Sequence, residues 1–253
     1  DDDDAYLSDT FVSPTNNKKW TWSCWLKRTT LGTTQVLFGT GNVASGSSFG
    51  GLYFDTSNRF ILFEAQGAGA YKITNRTFKD TSAWYHIVVN KDATNTDAEI
   101  YVNGVKETSF ATNTSPSNVD TSNFNSALEH TIGHNQSGSY AFDGYLAEVF
   151  FIDGTQHDAD AFGETKNGTW VPKNITASDF TMGNNGFYLN FQDDATVEAF
   201  NTVLHKGNGN AAHRISGVGF QPDFVWSKAR SGDTVGGHLL FDSVRGATKY
   251  LQS

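Results

Sequence analysis

The sequence predicts an all-β fold: an antiparallel two-sheet sandwich of jelly-roll type, followed by a smaller β-rich unit. Three observations carry this. Runs of branched and aromatic residues with period-two alternation recur roughly every 8–12 residues, between turns rich in Gly, Asn, Asp and Ser. Helical periodicity is nearly absent. Twenty Phe and six Trp stand against one Met, a composition suited to aromatic cores packed between sheets.

Taken in order, Ala5 to Val12 reads as a short edge-like strand, followed by a turn over Ser13, Pro14, Thr15, Asn16 and Asn17. Trp20 to Arg28, WTWSCWLKR, alternates cleanly. Trp20, Trp22, Cys24 and Leu26 share one face, expected to be buried, and Thr21, Ser23, Trp25 and Lys27 share the other. Trp25 among polar neighbours has two readings: a residue covered by a loop, or a platform for a ligand. Gln35 to Phe38 is the next strand, Asn42 to Gly51 a Gly/Ser loop, and Gly51 to Asp55 with Arg59 to Ala65 a hairpin across Thr56, Ser57 and Asn58. Ala70 to Thr74 continues the pattern.

The central stretch is Ala83 to Lys106. Two strands, Trp84 to Asn90 and Ala98 to Val102, flank a polar connection, and Asn103-Gly104 suits the positive φ of a type I′ turn. Val105 to Phe110 is expected to return as a third strand. Ser109 to Asn125 is a long polar segment of the kind that is functional or mobile. His130 to His134 and Tyr140 to Gly144 lead into the last strand, Tyr145 to Ile152, where the sandwich should close at Asp153-Gly154. From Thr155 the character changes: His157 to Glu164 reads as a short helix capped by Asp158, and Trp170-Val171-Pro172 as a strap onto the sheet. Gly186 to Gln192 is one more strand, completing the first domain or leading out of it. Arg214 to Val218, Asp223 to Lys228 and His238 to Phe241 are strand-like runs of a second unit. The expected division is therefore 1–155 for the sandwich, 156–195 for a linker with the short helix and strap, and 196–253 for the start of a second, truncated β-rich module.

A chain of 253 residues is long enough to bury a large core. Its net charge of −9 argues against a nucleic-acid partner. The acidic run Asp1 to Asp4 reads as a solvated end. A lone cysteine, Cys24, permits no internal disulfide. No apolar run approaches the roughly 20 residues of a membrane span, so no membrane insertion is expected. The chain starts without Met and shows no signal peptide, so it is read as processed, engineered or part of a longer polypeptide.

The segments WTWSCWLKR, LFGTG, GLYFDTSNRFILF, AWYHIVVNKD, AEIYVNGV and FDGYLAEVFFIDG, in that order from about Ala5 to Gly154, resemble the concanavalin-A-like superfamily in its laminin-G-like form. That resemblance implies two stacked antiparallel sheets with binding loops at the rim. The C-terminal segments ISGVGFQPDFVWSKARS and HLLFDSVRGATKYLQS are similar to a module of marine bacteriophage tail and fibre proteins. Together they imply a virion protein located on the particle surface or in a tail appendage. It would assemble with other virion proteins and with itself as a homo-oligomer.

Glucanases of the superfamily place two carboxylates on a Glu-x-Asp-x-x-Glu strand. Glu64, Glu99, Glu107, Glu129, Glu148 and Glu164 all lack those partners, so no enzyme is expected. His86 and His130 sit in strands and read as structural. Gly-x-Ser-x-Gly, His-Glu-x-x-His and a Cys/His cluster are all absent from the sequence. Calcium is the expected cofactor where one is bound, with Asp143, Glu148 and Asp153 flanking the last strand as its oxygen ligands. For a host surface glycan, Trp25 and Tyr53 offer apolar rings, and Asn103 and Asn135 offer amides. The leading expectation is a non-enzymatic virion protein whose jelly roll mediates host-glycan adhesion or particle assembly. The alternative is a secreted or cell-surface, calcium-dependent lectin.

Overall fold

The structure, a computed structural model, describes residues 5–41, 49–64, 71–117, 122–135 and 137–191, and beyond them 202–204, 206, 223–228, 239–244, 249 and 251–252. It divides into two compact units, Asp1–Phe191 and Gln192–Ser253.

The first unit is a sandwich of two antiparallel sheets. Its seven-stranded sheet runs in the order β1 (Leu7–Thr10), β11 (Glu129–Ile132), β3 (Gln35–Thr40), β4 (Gly50–Phe54), β5 (Arg59–Glu64), β6 (Tyr71–Thr77) and β10 (Phe110–Thr114). The six-stranded sheet runs β15 (Phe187–Leu189), β12 (Gly144–Asp153), β2 (Lys19–Arg28), β7 (Tyr85–Asp92), β8 (Asp97–Val102) and β9 (Val105–Lys106). A small hairpin pairs β13 (Gly163–Lys166) with β14 (Thr169–Pro172). The second unit contains an antiparallel sheet of β16 (Phe224–Ser227), β17 (Leu239–Asp242) and β18 (Leu251–Gln252). The expected strand Arg214 to Val218 and the run Asp1 to Asp4 lie outside the described residues.

The alternation of β2 determines which way it faces. Trp20, Trp22, Cys24 and Leu26 are all essentially inaccessible and join Phe38, Leu52, Phe54, Leu62, Ile87, Ile100 and Phe151 in the core between the sheets. Burial raises the Cys24 thiol far above its ordinary pKa, so it behaves as a small apolar filler. At the Asn103-Gly104 turn both residues have positive φ, 49° and 80°, as a type I′ turn requires.

Polar groups inside this core are paired across long sequence separations. Arg28 donates to Gln35 Oε1, Asn58 Oδ1 and the Phe78 carbonyl, and lies 4.2 Å from the centre of the Phe54 ring. Lys91 of one sheet meets Glu64 of the other at 2.6 Å with both side chains inaccessible, and Ser122 donates to the second Glu64 oxygen. Trp20 Nε1 donates to Ser122 Oγ at 2.7 Å. A buried pair of this kind fixes how two layers register even where its net stabilisation is small.

Three local expectations change. The third strand of the meander holds only over Val105–Lys106; by Phe110 the chain has crossed to the other sheet, where β10 pairs with β6. The helix expected at His157 to Glu164 is a single 3₁₀ turn, Ala159–Ala161. Asp158 makes no capping bond there; its carboxylate accepts from the Tyr101 hydroxyl at 3.0 Å instead. Tertiary contact has overridden a weak local signal. The sandwich also continues past Asp153: Phe187, Tyr188 and Leu189 pair with Phe151, Phe150 and Val149, adding β15 at the sheet edge.

Candidate functional site

A strand has two faces, so each sheet offers an outer face to whatever the rest of the chain supplies. On the six-stranded sheet that face carries, from β12 across β2, β7 and β8, the rows Ile152–Thr21–Asn90–Glu99, Phe150–Ser23–Val88–Tyr101 and Ala147–Trp25–His86. Residues 156–182 lie across it as a strap. Phe162 and Phe180 stack on each other and pack against Phe150, which also stacks on Tyr188 at 4.1 Å. His157 N–H donates to Thr21 Oγ1, and Asn90 Nδ2 donates to the His157 carbonyl. Trp170 reaches furthest. Its indole lies where a Cβ on either Gly104 or Gly163 would come within about 2.5 Å of it, so both positions must lack a side chain. The crevice left between Ser23, Trp25, Glu148 and Phe150 of the sheet and Phe162 and Ile175 of the strap is too tight to admit a water molecule.

Beneath the strap, Ser23 Oγ and His86 Nε2 are 2.9 Å apart, a spacing that invites comparison with a nucleophile and its base. The third partner decides otherwise. Trp170 Nε1 can only donate, and it points at His86 Nδ1 at 3.0 Å. Nδ1 is therefore the acceptor, Nε2 carries the proton, and the ring donates to Ser23 rather than withdrawing its proton. Burial lowers the His86 pKa to about 3, so the ring stays neutral. The arrangement is a structural relay joining β2, β7 and the strap.

Among the described residues no strap lies across the seven-stranded sheet. Its outward rows run Val36–Tyr53–Ile61–Ile73 and Gly39–Gly51–Phe63–Tyr71. Phe49 lies over Gly51, where an added Cβ would sit 2.7 Å from its ring. The rings of Phe49, Tyr53, Phe63 and Tyr71 form a continuous patch, with centroids 5.7 Å apart for Phe49–Phe63, 6.4 Å for Phe49–Tyr53 and 5.2 Å, edge to face, for Phe63–Tyr71. Tyr53, Phe63 and Tyr71 are partly exposed. Among the described residues the buried apolar clusters lie between the sheets and under the strap, and neither reaches this patch. The Tyr53 hydroxyl has no hydrogen-bond partner among the described residues. Burial, then Tyr71 and Asp55 nearby, raises its pKa to about 12, so it stays a protonated donor. Phe49, Phe63 and Tyr71 escaped sequence reasoning, although the hairpin register alone places Phe63 on the face and side of Tyr53.

The structure separates the other sequence candidates. Trp25 and Asn103 flank the same residue: Trp25 stacks on the His86 ring at 4.8 Å, and Asn103 Oδ1 accepts from the His86 backbone N–H at 2.8 Å. Three adjacent strands hold them, about 10 Å apart across the sheet. Asn135 is buried and organises a turn, accepting from Ser139 N–H and Ser137 Oγ. The carboxylates expected to hold calcium do not converge. Asp143 and Asp153 bracket the ten-residue β12 and so lie about 30 Å apart. Asp143 accepts from the Thr29 and Thr30 hydroxyls. Glu148 sits at the bulge of β12 with φ of 51° and accepts from the Tyr188 hydroxyl. Asp153 is buried and takes N–H donors from Thr15, Asn16, Asn125, Asn184 and Asn185, the reverse of a surface presented to a cation. Among the described residues no three His, Cys, Asp or Glu side chains are grouped as a metal site, and no helix is long and apolar enough to cross a membrane.

A family model of the concanavalin A-like lectin/glucanases superfamily matches residues 1–161, and a domain of unknown function, DUF7483, matches residues 195–253. No curated protein matches the chain. Among solved structures, a Bacteroides ovatus protein described as a candidate carbohydrate binder is 17% identical with a TM-score of 0.47, over 72% of this chain and 55% of that one. The heptameric SAP-like pentraxin of Limulus polyphemus is 14% identical with a TM-score of 0.41, over 58% of this chain and 68% of that one. A Trypanosoma rangeli sialidase is 18% identical with a TM-score of 0.40, over 56% of this chain and 21% of that one. The chain thus spans about half of the Bacteroides protein and a fifth of the sialidase.

Proposed function

The chain belongs to the concanavalin A-like lectin/glucanases superfamily, and on that premise we propose that its first unit is a non-enzymatic carbohydrate-binding module of a virion surface or tail-appendage protein. The observation that carries the binding reading is the aromatic patch in which Tyr53, Phe63 and Tyr71 are partly exposed beside the buried Phe49, with a Tyr53 hydroxyl that has no hydrogen-bond partner among the described residues. Flat rings take the apolar C–H face of a sugar, and a phenol takes its hydroxyls. Against catalysis stand the tautomer of His86 and the absence of the Glu-x-Asp-x-x-Glu strand. The virion setting, and assembly as a homo-oligomer, rest on the resemblance of the C-terminal segments.

The test is a glycan array probed with the recombinant chain in calcium and then in chelator. Saturable binding to one sugar class, lost in Tyr53→Ala with the fold intact by circular dichroism, supports the reading; no binding by the folded protein overturns it. Persistence in chelator would remove calcium from the account. The virion setting fails if the protein is absent from purified particles by quantitative mass spectrometry.

A further inference from the structure

The strap stops one row short of the end of the sheet it covers. Trp170, its furthest contact, rests on His86 and Gly104. Beyond it the register continues with Tyr145 opposite Lys27, and with Trp84, one residue before β7, in line on the other side of Lys27. All three alternate with core-facing neighbours, Leu146, Leu26 and Tyr85, and so stand on the outer face. Tyr145 is 59% exposed and Trp84 43% exposed, large values for rings on a packed sheet. Trp25 borders this row, its indole fixed by the stack Trp25–His86–Trp170, at 4.8 and 6.0 Å with interplanar angles of 17° and 24°.

Lys27 is uncommitted at the centre of these rings. Among the described residues no carboxylate lies within salt-bridge distance of it, and no ring lies beneath its ammonium group. The nearby Asp80 carboxylate is turned to Ser82, accepting from its N–H at 2.8 Å and its hydroxyl at 2.6 Å. A cation flanked by two exposed rings across three strands, spanning about 10 Å, suits a ligand with an apolar face and an anionic substituent.

We propose that Tyr145, Lys27 and Trp84, bordered by Trp25, form a second binding shelf, for an acidic saccharide. Pyranose rings stack on Trp84 and Tyr145, and a carboxylate of the sugar pairs with Lys27. The shelf is distinct from the patch on the seven-stranded sheet and does not depend on that reading.

Isothermal titration with a uronate-containing oligosaccharide and a neutral one of equal length tests it. The wild-type chain is expected to bind the acidic probe more tightly. Lys27→Gln should weaken that binding about tenfold, the equivalent of about 1.4 kcal/mol, and so remove the preference over the neutral probe, and Trp84→Ala or Tyr145→Ala should weaken both. The three side chains are surface-placed, so thermal unfolding of the variants should match the wild type. Absence of acidic-sugar binding, or binding indifferent to Lys27→Gln and Trp84→Ala, overturns the shelf. Binding lost instead in Tyr53→Ala places the sugar on the other sheet, overturning the shelf while leaving the proposed function standing.

Discussion

The two outer faces of the sandwich begin alike and end differently. Each carries rows of aromatic and branched side chains that a strand must put somewhere. On the six-stranded sheet, residues 156–182 return to cover Phe150, Val88 and Tyr101, and the face becomes a second core. On the seven-stranded sheet, Tyr53, Phe63 and Tyr71 remain partly exposed around the buried Ile61 and Ile73. The same residue types therefore contribute stability on one side and, in the proposed function, a recognition surface on the other. Coverage separates the two roles, and hydrophobicity does not.

The largest test of this contrast is Phe150→Ala, which empties the space between Phe162, Phe180 and Tyr188 under the strap. It should cost about 3–5 kcal/mol in denaturant unfolding, with the strap loosening first in hydrogen exchange. A cost below about 1 kcal/mol would mean that the strap is not part of the cooperative unit.

Acid is the next probe. His86 and His130 are held to pKa values of about 3 and about 4, chiefly by burial, and His157 under the strap is lowered for the same reason. In each case the unfolded chain binds a proton at a higher pH than the folded one. Stability is therefore complete above about pH 6.5 and falls as pH drops toward the folded values. For His86 and His130 the loss is on the order of 2 kcal/mol each by pH 5, and His157 adds to it in the same direction. Urea midpoints at pH 7 and pH 5 should show it, and His86→Gln should flatten the slope. A pH-independent midpoint would show that these rings are not held neutral.

Trp170→Phe keeps the ring over Gly104 and Gly163 but leaves His86 Nδ1 without its donor. The expected cost is about 1–3 kcal/mol, and the His86 ring nitrogens in NMR should lose their single tautomer. The smallest effect belongs to the open face. Phe63→Ala should change stability by less than about 1 kcal/mol, since its ring is not sealed, yet reduce sugar binding. A cost comparable to that of Phe150→Ala would mean this face is also a core, and the binding patch would fall with it.

Much of the architecture was legible beforehand. The alternation Trp20, Trp22, Cys24, Leu26 marked the buried face of β2, and Asn103-Gly104 marked the turn between β8 and β9. Both are local rules, a period of two and a need for positive φ. The structural reading of His86 and His130 also agrees with their buried positions. The site was less legible. Trp25 offered two readings, a residue covered by a loop or a platform for a ligand; in the structure it is half-buried and stacks on His86. Glu148 read as a surface carboxylate beside a cation, but a bulge turns it toward Tyr188. Asp153 read as a rim ligand, but loops from three parts of the chain close on it with N–H donors.

The sequence by itself determined which residues alternate, where the chain turns, and hence that two antiparallel sheets enclose an aromatic core. Those facts depend on neighbours two to four residues away. Only the tertiary structure decided which outer face is covered, which carboxylates are engaged, and which proton His86 carries. Each of these depends on a partner more than 25 residues away, such as Trp170 for His86 or Asn125 for Asp153. No local pattern encodes that meeting.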